Sequence, residues 1–347
     1  MNVLSLFDGM SCGQIALNRA GIKVDNYFAS EIDKYAIQVT MANYPNTIQL
    51  GSVIDIDGYK LPKIDILIGG SPCQSFSFAG KRKGMSTKCE IEILTLDQYL
   101  TLKSEGYEFE GQSYLFWEYI RILNEVKPKY FLLENVLMSE KWERIISNTI
   151  GLNPIQINSS LVSAQNRRRL YWTNIGLEPS GLFDYLESTI KQPKDRGVIL
   201  KDILENEVDE KYFLSDKRIK YFERGIKKGF LKQICNDING KSECLLATMY
   251  KHMKGFCVAS RGRKNGLQTE QEIEIRTNGK SNSLTTVLKD NLVIRSSSIS
   301  CYTPLECERL QTVPDNYTNH VSDTQRYRML GNGWTVDVVA HIFSYLK

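Results

Sequence analysis

Cys73, Glu134, Arg167 and Arg169 are the residues of this 347-residue chain whose types and settings could do chemistry together. Cys73 stands behind Pro72 in "SPCQSFSFAGKRKG", directly after the apolar run "IDILIGG". Its thiol is thus expected just past the end of a buried strand, where α/β enzymes keep their reacting groups. A thiol so placed is a candidate covalent nucleophile. Glu134 closes a second apolar run, "FLLENV", and on a parallel sheet it would reach the same carboxyl edge, putting a carboxylic acid beside the thiol. "AQNRRRLYW" spaces Arg167 and Arg169 two apart, on one face of an extended segment, where they would grip an anion or a carbonyl oxygen. Lys81, Arg82 and Lys83 in "GKRKG" add positive charge to a glycine-bounded loop suited to phosphates. Each has a plain structural reading: a small buried hydrophobe, a helix-cap neighbour, a solvated basic edge. Their conjunction points to a site.

The elements that must position these groups follow from periodicity. Within 1–175, "NVLSLF", "VDNYFAS", "IDILIGG", "KYFLLENV" and "RRLYWTNI" read as strands. "CGQIALNRAG", "EIDKYAIQVTMANY" and "SYLFWEYIRILNEV" carry helical apolar spacing between them. That alternation predicts an α/β fold with a doubly wound, mostly parallel sheet. The segment 85–112 reads as an insertion between the Cys73 loop and the next helix. From 176 to 325 the pattern degrades into charged, lysine- and glycine-containing pieces, which predicts a smaller, less regular domain. "TPLECERLQTVP" offers Thr303 as N-cap, Pro304 at the first helical position and Glu306 to close a capping box. In the last segment, 326–347, "WTVDVVAHIFSYL" places Val336, Val339, Ala340 and Phe343 on one helical face.

A second candidate site lies at the start. "VLSLFDGMSCGQIALNRAG" is a strand, a glycine-containing turn and a helix, with Ser11 and Gln14 spaced as a capping box. Exposed N–H groups at that helix start suit an anion, and Glu31, ending the next strand in "ASEID", suits ribose hydroxyls. The turn lacks a full G-x-G-x-x-G, so NAD and S-adenosylmethionine both fit it, as does a plain tight turn.

Composition narrows the classes. The net charge of +4 is mildly basic and by itself decides nothing about nucleic acid. Eight cysteines without a C-x-x-C pair, and three histidines, argue against a structural metal and against disulfides. No run approaches about 18 apolar residues and no signal-like start precedes the first strand. The expectation is a cytoplasmic protein without membrane span or metal.

The motifs, in order, resemble the cytosine-5 DNA methyltransferase family over nearly the whole chain. "SLFDGMSCG" looks like its cofactor turn, "SPCQSFSFAGKRKG" like its Pro-Cys-Gln loop, and "LLENV" like its Glu-Asn-Val motif. "QNRRR" fits Gln-x-Arg-x-Arg, and "CYTPLECERLQTVPDNY" and "LGNGWTVDVVAHIF" fit its last two motifs. "GQSYLFWEYIRIL" and the tryptophan of "GNGWTV" look closer to the family's de novo type. The resemblance implies a Rossmann-like methyltransferase domain using S-adenosyl-L-methionine, a target-recognition domain at 176–325, and double-stranded DNA as partner. It implies that Cys73 adds to carbon 6 of a flipped-out cytosine, that Glu134 is a neutral acid on ring nitrogen 3, and that Arg169 holds the exocyclic oxygen. Arg167 and Gln165 would orient the loop. Phe7, Gly9, Met10, Ser11, Cys12, Glu31, Ile32, Ser52, Val53, Asn332 and Trp334 would hold the cofactor, with Ser52 where the family usually has aspartate. Pro72, Gln74, Ser77, Lys81, Arg82 and Lys83 would meet the DNA. The resemblance leaves open a cognate restriction endonuclease acting on the same site; a monomer is the expected state.

Other readings explain less. The tRNA-methylating branch of the family carries a Cys-Phe-Thr motif that this sequence lacks. An NAD-dependent oxidoreductase would use the turn and Glu31 but leave Cys73, Glu134 and the arginines without joint purpose. A catalytically silent binding homologue would not need all four.

Overall fold

The computed structural model describes residues 1–72, 85–180, 185–213 and 298–346, together with short strand segments at 243–244, 258–262, 271–275, 281–282 and 292–295. The chain divides into two compact units. The first comprises Met1–Ile157, Arg168–Gln192 and Ala340–Lys347, the second Asn158–Arg167 and Pro193–Val339. These boundaries differ from the expected cuts at 175 and 326. The first unit continues to 192, ten residues around the "QNRRR" motif belong to the second, and 340–347 alone return.

The first unit is built on β1 (Asn2–Leu6), α1 (Cys12–Arg19), β2 (Asn26–Ser30), α2 (Lys34–Asn43), β3 (Ile48–Gln49) and β4 (Ile66–Gly69). Then follow α3 (Leu96–Ser104), α4 (Phe116–Val126), β5 (Tyr130–Val136), α5 (Glu140–Ile150) and β6 (Ile155–Asn158). After β7 (Gln165–Asn166), which belongs to the second unit, β8 (Arg168–Thr173) rejoins the sheet. Seven strands lie in the order β3-β2-β1-β4-β5-β8-β6. The pairs β2–β3, β1–β2, β1–β4 and β4–β5 are parallel. β5 and β8 are antiparallel, with Val136 opposite Arg169. The expected doubly wound, mostly parallel sheet is present. Its strands read as continuous apolar runs because both faces are covered: Leu4, Leu6, Leu67 and Leu133 pack with Phe116, Trp117, Trp142 and Trp172 in one buried cluster, and Val3, Ile66, Ile68 and Leu132, at the alternate positions, are buried too. The order reverses at β1 and β4, so the crevice at their carboxyl ends is the topological switch point where such sheets bind ligands.

Several elements go beyond the sequence reading, the strands β3 and β6 among them. Helix α5 was not expected, and the 85–112 segment contains helix α3 and the bridges Ser86–Glu92 and Thr87–Phe109. Thr95 caps α3 by accepting the Gln98 N–H at 3.2 Å.

In the second unit, β7 joins a three-stranded sheet with Glu243–Cys244 and Ser281–Asn282. Two antiparallel pairs follow, Val258–Gly262 with Gln271–Ile275 and Leu292–Arg295 with Ser298–Cys301. Helix Pro304–Leu310 forms with the expected capping box: Thr303 Oγ1 accepts the Glu306 N–H, and Glu306 accepts the Thr303 N–H at 2.9 Å. The tail helix Val336–Phe343 also forms, and Val338 and Ile342 are buried besides Val336, Val339 and Phe343, a wider apolar stripe than expected.

Candidate active site

The end of β1 enters a tight turn in which Phe7, Gly9 and Ser11 all take left-handed φ, near 60°. Phe7 and Ser11 bear that conformation at a cost that turns at functional sites commonly carry. A Cβ built on Gly9 would meet nothing within 4 Å, so space is open at the mouth of the turn. Glu31, just past β2, organises the opposite lip. One carboxylate oxygen accepts the Gly9 N–H at 2.8 Å, and the other accepts those of Ile32 and Asp33 at 2.7 and 2.8 Å.

The expected Ser11–Gln14 capping box does not form. Ser11 is the N-cap of α1, but its left-handed backbone turns the side chain from the helix amides, and its hydroxyl donates to the Asp8 carboxylate. Gln14 Nε2 instead donates to Ser11 Oγ at 3.1 Å and to Thr47 Oγ1 at 2.8 Å. Asp8 also accepts from Tyr27 Oη at 2.7 Å. Burial pushes the Asp8 carboxyl up to about 6, against the hydrogen bonds of Ser11, Ser5 and Tyr27 and with a smaller push from Glu31. Sequence reasoning missed Asp8, although a carboxylate inside a strand–turn–helix corner was its signal.

The remaining cofactor candidates divide by burial. Met10, Ser11, Cys12 and Val53 are buried, so they would border a ligand largely with backbone, whereas Ile32 is 71% exposed, an apolar side chain available to cover a ring. Ser52 caps the 3₁₀ turn Val53–Asp55, accepting the Ile54 N–H at 3.3 Å. Asn332 and Trp334 belong to the second unit, where Asn332 is exposed and Trp334 half-buried.

The chemistry end stands on β4, β5 and β8. Gly69 pairs with Leu133, which puts Glu134 one step past it on the carboxyl edge, and Asn135 Nδ2 donates to Ser71 Oγ and Ser71 O at 3.1 and 3.3 Å. That bond fastens the segment leading to Pro72. Because β8 runs antiparallel, its first residues arrive at the same edge, and Arg169 Nε lies 3.0 Å from Glu134 Oε1. Arg169 Nη1 donates to the Arg168 carbonyl at 2.8 Å. Both side chains of the ion pair keep some exposure.

Arg167 and Arg169 do not share the face of one extended segment. β7 and β8 belong to different sheets, and Arg167 lies between them. Its guanidinium donates to Gly333 O at 2.9 Å and to Gly331 O at 3.4 Å, and it is 3% exposed. Gln165 is likewise enclosed, donating to Leu310 O at 3.0 Å and Gln311 Oε1 at 3.1 Å. The Leu310 carbonyl stands at a helix end that needs donors, so Gln165 ties that end within the second unit. Cys73, Gln74, Ser77, Lys81, Arg82 and Lys83 lie outside the described residues. Among the described residues no group of histidine, cysteine or acidic side chains could hold a metal, and no helix is long and apolar enough to cross a membrane.

A switch-point crevice with an acidic lip, and an acid paired with an arginine on the adjoining strand ends, fit a Rossmann-like methyltransferase. The family model of the C-5 cytosine-specific DNA methylases matches residues 1–99 and 101–347, and the chain belongs to that family. It is a DNA (cytosine-5-)-methyltransferase. It is 28% identical to the type II methyltransferase M1.ScrFI of Lactococcus lactis subsp. cremoris, over 97% of this chain and 75% of the relative. It is also 28% identical to the type II methyltransferase M.NlaX of Neisseria lactamica, over 99% and 96%. Among solved structures, the Entamoeba histolytica methyltransferase EhMeth superposes with a TM-score of 0.62 at 17% identity, covering 99% of this chain and 97% of that one. Spodoptera frugiperda DNMT2 gives 0.59 at 21%, covering 99% and 98%.

Proposed function

We propose that this enzyme methylates carbon 5 of a cytosine flipped out of double-stranded DNA, with Cys73 as nucleophile, Glu134 as acid and Arg169 as its partner. The observation that carries the reading is the Glu134–Arg169 pair at the carboxyl edge, next to the Ser71–Pro72 segment that delivers Cys73. The fit of the first crevice to S-adenosylmethionine rests on the open turn at Gly9, the Glu31 lip and the apolar cover of Ile32. Phe7, Gly9, Met10, Ser11, Cys12, Glu31, Ile32, Ser52 and Val53 would hold it. Once bound, it supplies an electrophilic methyl group.

The chain's own residues do the rest. Cytosine carbon 5 is a weak nucleophile until the thiolate of Cys73 bonds to carbon 6 and the displaced double-bond pair becomes available at carbon 5. Negative charge then builds on the ring, and Glu134, acting as the acid toward ring nitrogen 3, absorbs it. Arg169 holds the neighbouring exocyclic oxygen, so it must exchange part of its hold on Glu134 for the base. Once carbon 5 carries the methyl group, a base from solvent takes its proton, nitrogen 3 returns its proton to Glu134, and the restored ring double bond expels the Cys73 thiolate. Flipping the base costs about a few kcal/mol of stacking and pairing, which closure of the loop from Gln74 to Lys83 over the base would offset. Ser77, Lys81, Arg82 and Lys83 on that loop are assigned to phosphates, and the 176–325 segment to sequence recognition.

Bisulfite sequencing of DNA from cells expressing the wild type or Cys73→Ala tests the reading. Protected cytosines in one recurring sequence, absent with Cys73→Ala, are the expected result. The same protected sites with Cys73→Ala would exclude Cys73, and protection in tRNA with none in DNA would overturn the DNA assignment.

A further inference from the structure

We propose that Arg121 is a positioning residue for the adenine end of the cofactor site and that the 85–112 segment braces it; this rests on the S-adenosylmethionine reading above. The residues from Ser52 to Lys60 form two single 3₁₀ turns. What holds them is α4. Arg121 Nη2 donates to Val53 O at 3.2 Å, and Nη1 donates to Ile56 O at 3.0 Å. Glu125, one turn on, accepts the Gly58 N–H at 2.8 Å. A Cβ on Gly58 would lie 2.7 Å from Glu125 Cβ, so glycine is what lets turn and helix meet.

The arginine is itself aimed by carboxylates. Its Nε donates to Glu118 Oε2 at 2.7 Å and its Nη1 to Glu125 Oε1 at 2.8 Å. Glu118 is fully buried, and a buried carboxylate needs partners on both oxygens. The second oxygen is served from the 85–112 segment: Lys103 Nζ donates to Oε1 at 2.6 Å, and Tyr99 Oη donates to the same atom at 2.5 Å. Burial, then the Glu118 bond, raise the Tyr99 phenol far above its usual range, so it stays a donor. Tyr99 packs on Phe109, which stacks on Tyr114, so the segment's rings anchor it to the turn Ser113–Leu115 that leads into α4. Two acids and two bases balance, and the planar guanidinium fork is the one cationic group that bonds both carboxylates and both carbonyls at once.

The consequence falls on the Val53–Ile54 peptide, whose N–H is held by Ser52 Oγ and whose carbonyl is held by Arg121. Ser52 supplies no carboxylate to an adenine amino group, so the contact there depends on how firmly that peptide is held. Arg121, on the Val53 carbonyl, holds it.

The test measures S-adenosylhomocysteine binding by calorimetry and duplex binding by anisotropy on the full chain, for Arg121→Lys, Lys103→Met, Tyr99→Phe and Glu31→Ala. Arg121→Lys should weaken S-adenosylhomocysteine about 10-fold or more and leave duplex affinity within about twofold, because a lysine cannot reproduce the fork. The KM for cofactor should rise by more than kcat falls. Lys103→Met and Tyr99→Phe, which leave Arg121 in place, should each weaken the ligand by about threefold and speed hydrogen exchange at the amides of 53–58. If Arg121→Lys does not fold, these two variants decide: wild-type affinity in both overturns the proposal. Wild-type affinity in a folded Arg121→Lys, with Glu31→Ala weakened, overturns it and leaves the cofactor reading standing. If Glu31→Ala binds like the wild type, the cofactor reading has failed instead.

Discussion

Arg167 and Arg169 stand two residues apart in one motif, yet they live in different surroundings, and the contrast separates architecture from chemistry. Arg167 is 3% exposed and donates to the Gly331 and Gly333 carbonyls of its own unit. Those acceptors are neutral backbone carbonyls, so the arginine ties β7 to the end of the helix Asp323–Asn332. Arg169 meets a carboxylate, Glu134, at a sheet edge where both keep some exposure. A charge pair in that setting can trade partners when a ligand arrives. A cation among carbonyls carries structure; a cation on an edge carboxylate carries function.

Breaking each side of the comparison should give opposite signatures. The largest effect belongs to Glu134→Gln, which keeps shape and removes the carboxyl group; methyl transfer should fall about 10²–10⁴-fold while thermal melting shifts little. Arg167→Ala should do the reverse in kind, leaving buried carbonyls unserved and lowering stability by about 2–4 kcal/mol in denaturant titration. Should Arg167→Ala fold like the wild type, its structural role is wrong.

Asp8 sharpens the comparison through pH. Its carboxyl is raised to about 6 from 3.8, with burial the largest cause, so the folded chain holds a proton that the unfolded chain has lost between those values. Stability from this group therefore falls as pH rises through that window, and the penalty is complete above it. Asp8→Asn should remove that slope, gaining about 1–3 kcal/mol at pH 7 relative to its effect at pH 4. Parallel stability profiles of both proteins across that range would contradict the assignment.

The smallest effect concerns Ser52. Aspartate caps a turn as well as serine and adds a charged acceptor, so Ser52→Asp should tighten S-adenosylmethionine several-fold, about 1 kcal/mol by calorimetry, with less effect on the transfer step. Unchanged or weaker binding would mean that the peptide held by Arg121 already meets adenine without it.

What could be read in the residues, and what could not, follows the range of the interactions. The strands of the parallel sheet were legible because burial on both faces leaves continuous apolar runs, and the Thr303–Glu306 cap because its partners sit three residues apart. Glu134 and Arg169 were legible as types. Their pairing was not, since it depends on β8 running antiparallel to β5 and brings together residues far apart in the chain. The Ser11–Gln14 box failed for a local reason: a left-handed N-cap, set by the turn, gave the Ser11 hydroxyl to Asp8. Arg121 carried no signal at all. On a helix of good apolar spacing it looks like a solvated face, and its carbonyl partners stand 65 and 68 residues away.

The central claim is that Cys73 forms the covalent bond and Glu134 assists it, and trapping tests both at once. A duplex containing the target sequence with 5-fluorocytosine is incubated with enzyme and S-adenosylmethionine, and the adduct is mapped by peptide mass spectrometry. The account predicts a stable adduct on the peptide bearing Cys73 in the wild type, slower formation with Glu134→Gln, and none with Cys73→Ser. An adduct mapped to another residue, or one formed at the wild-type rate without Cys73, would contradict it.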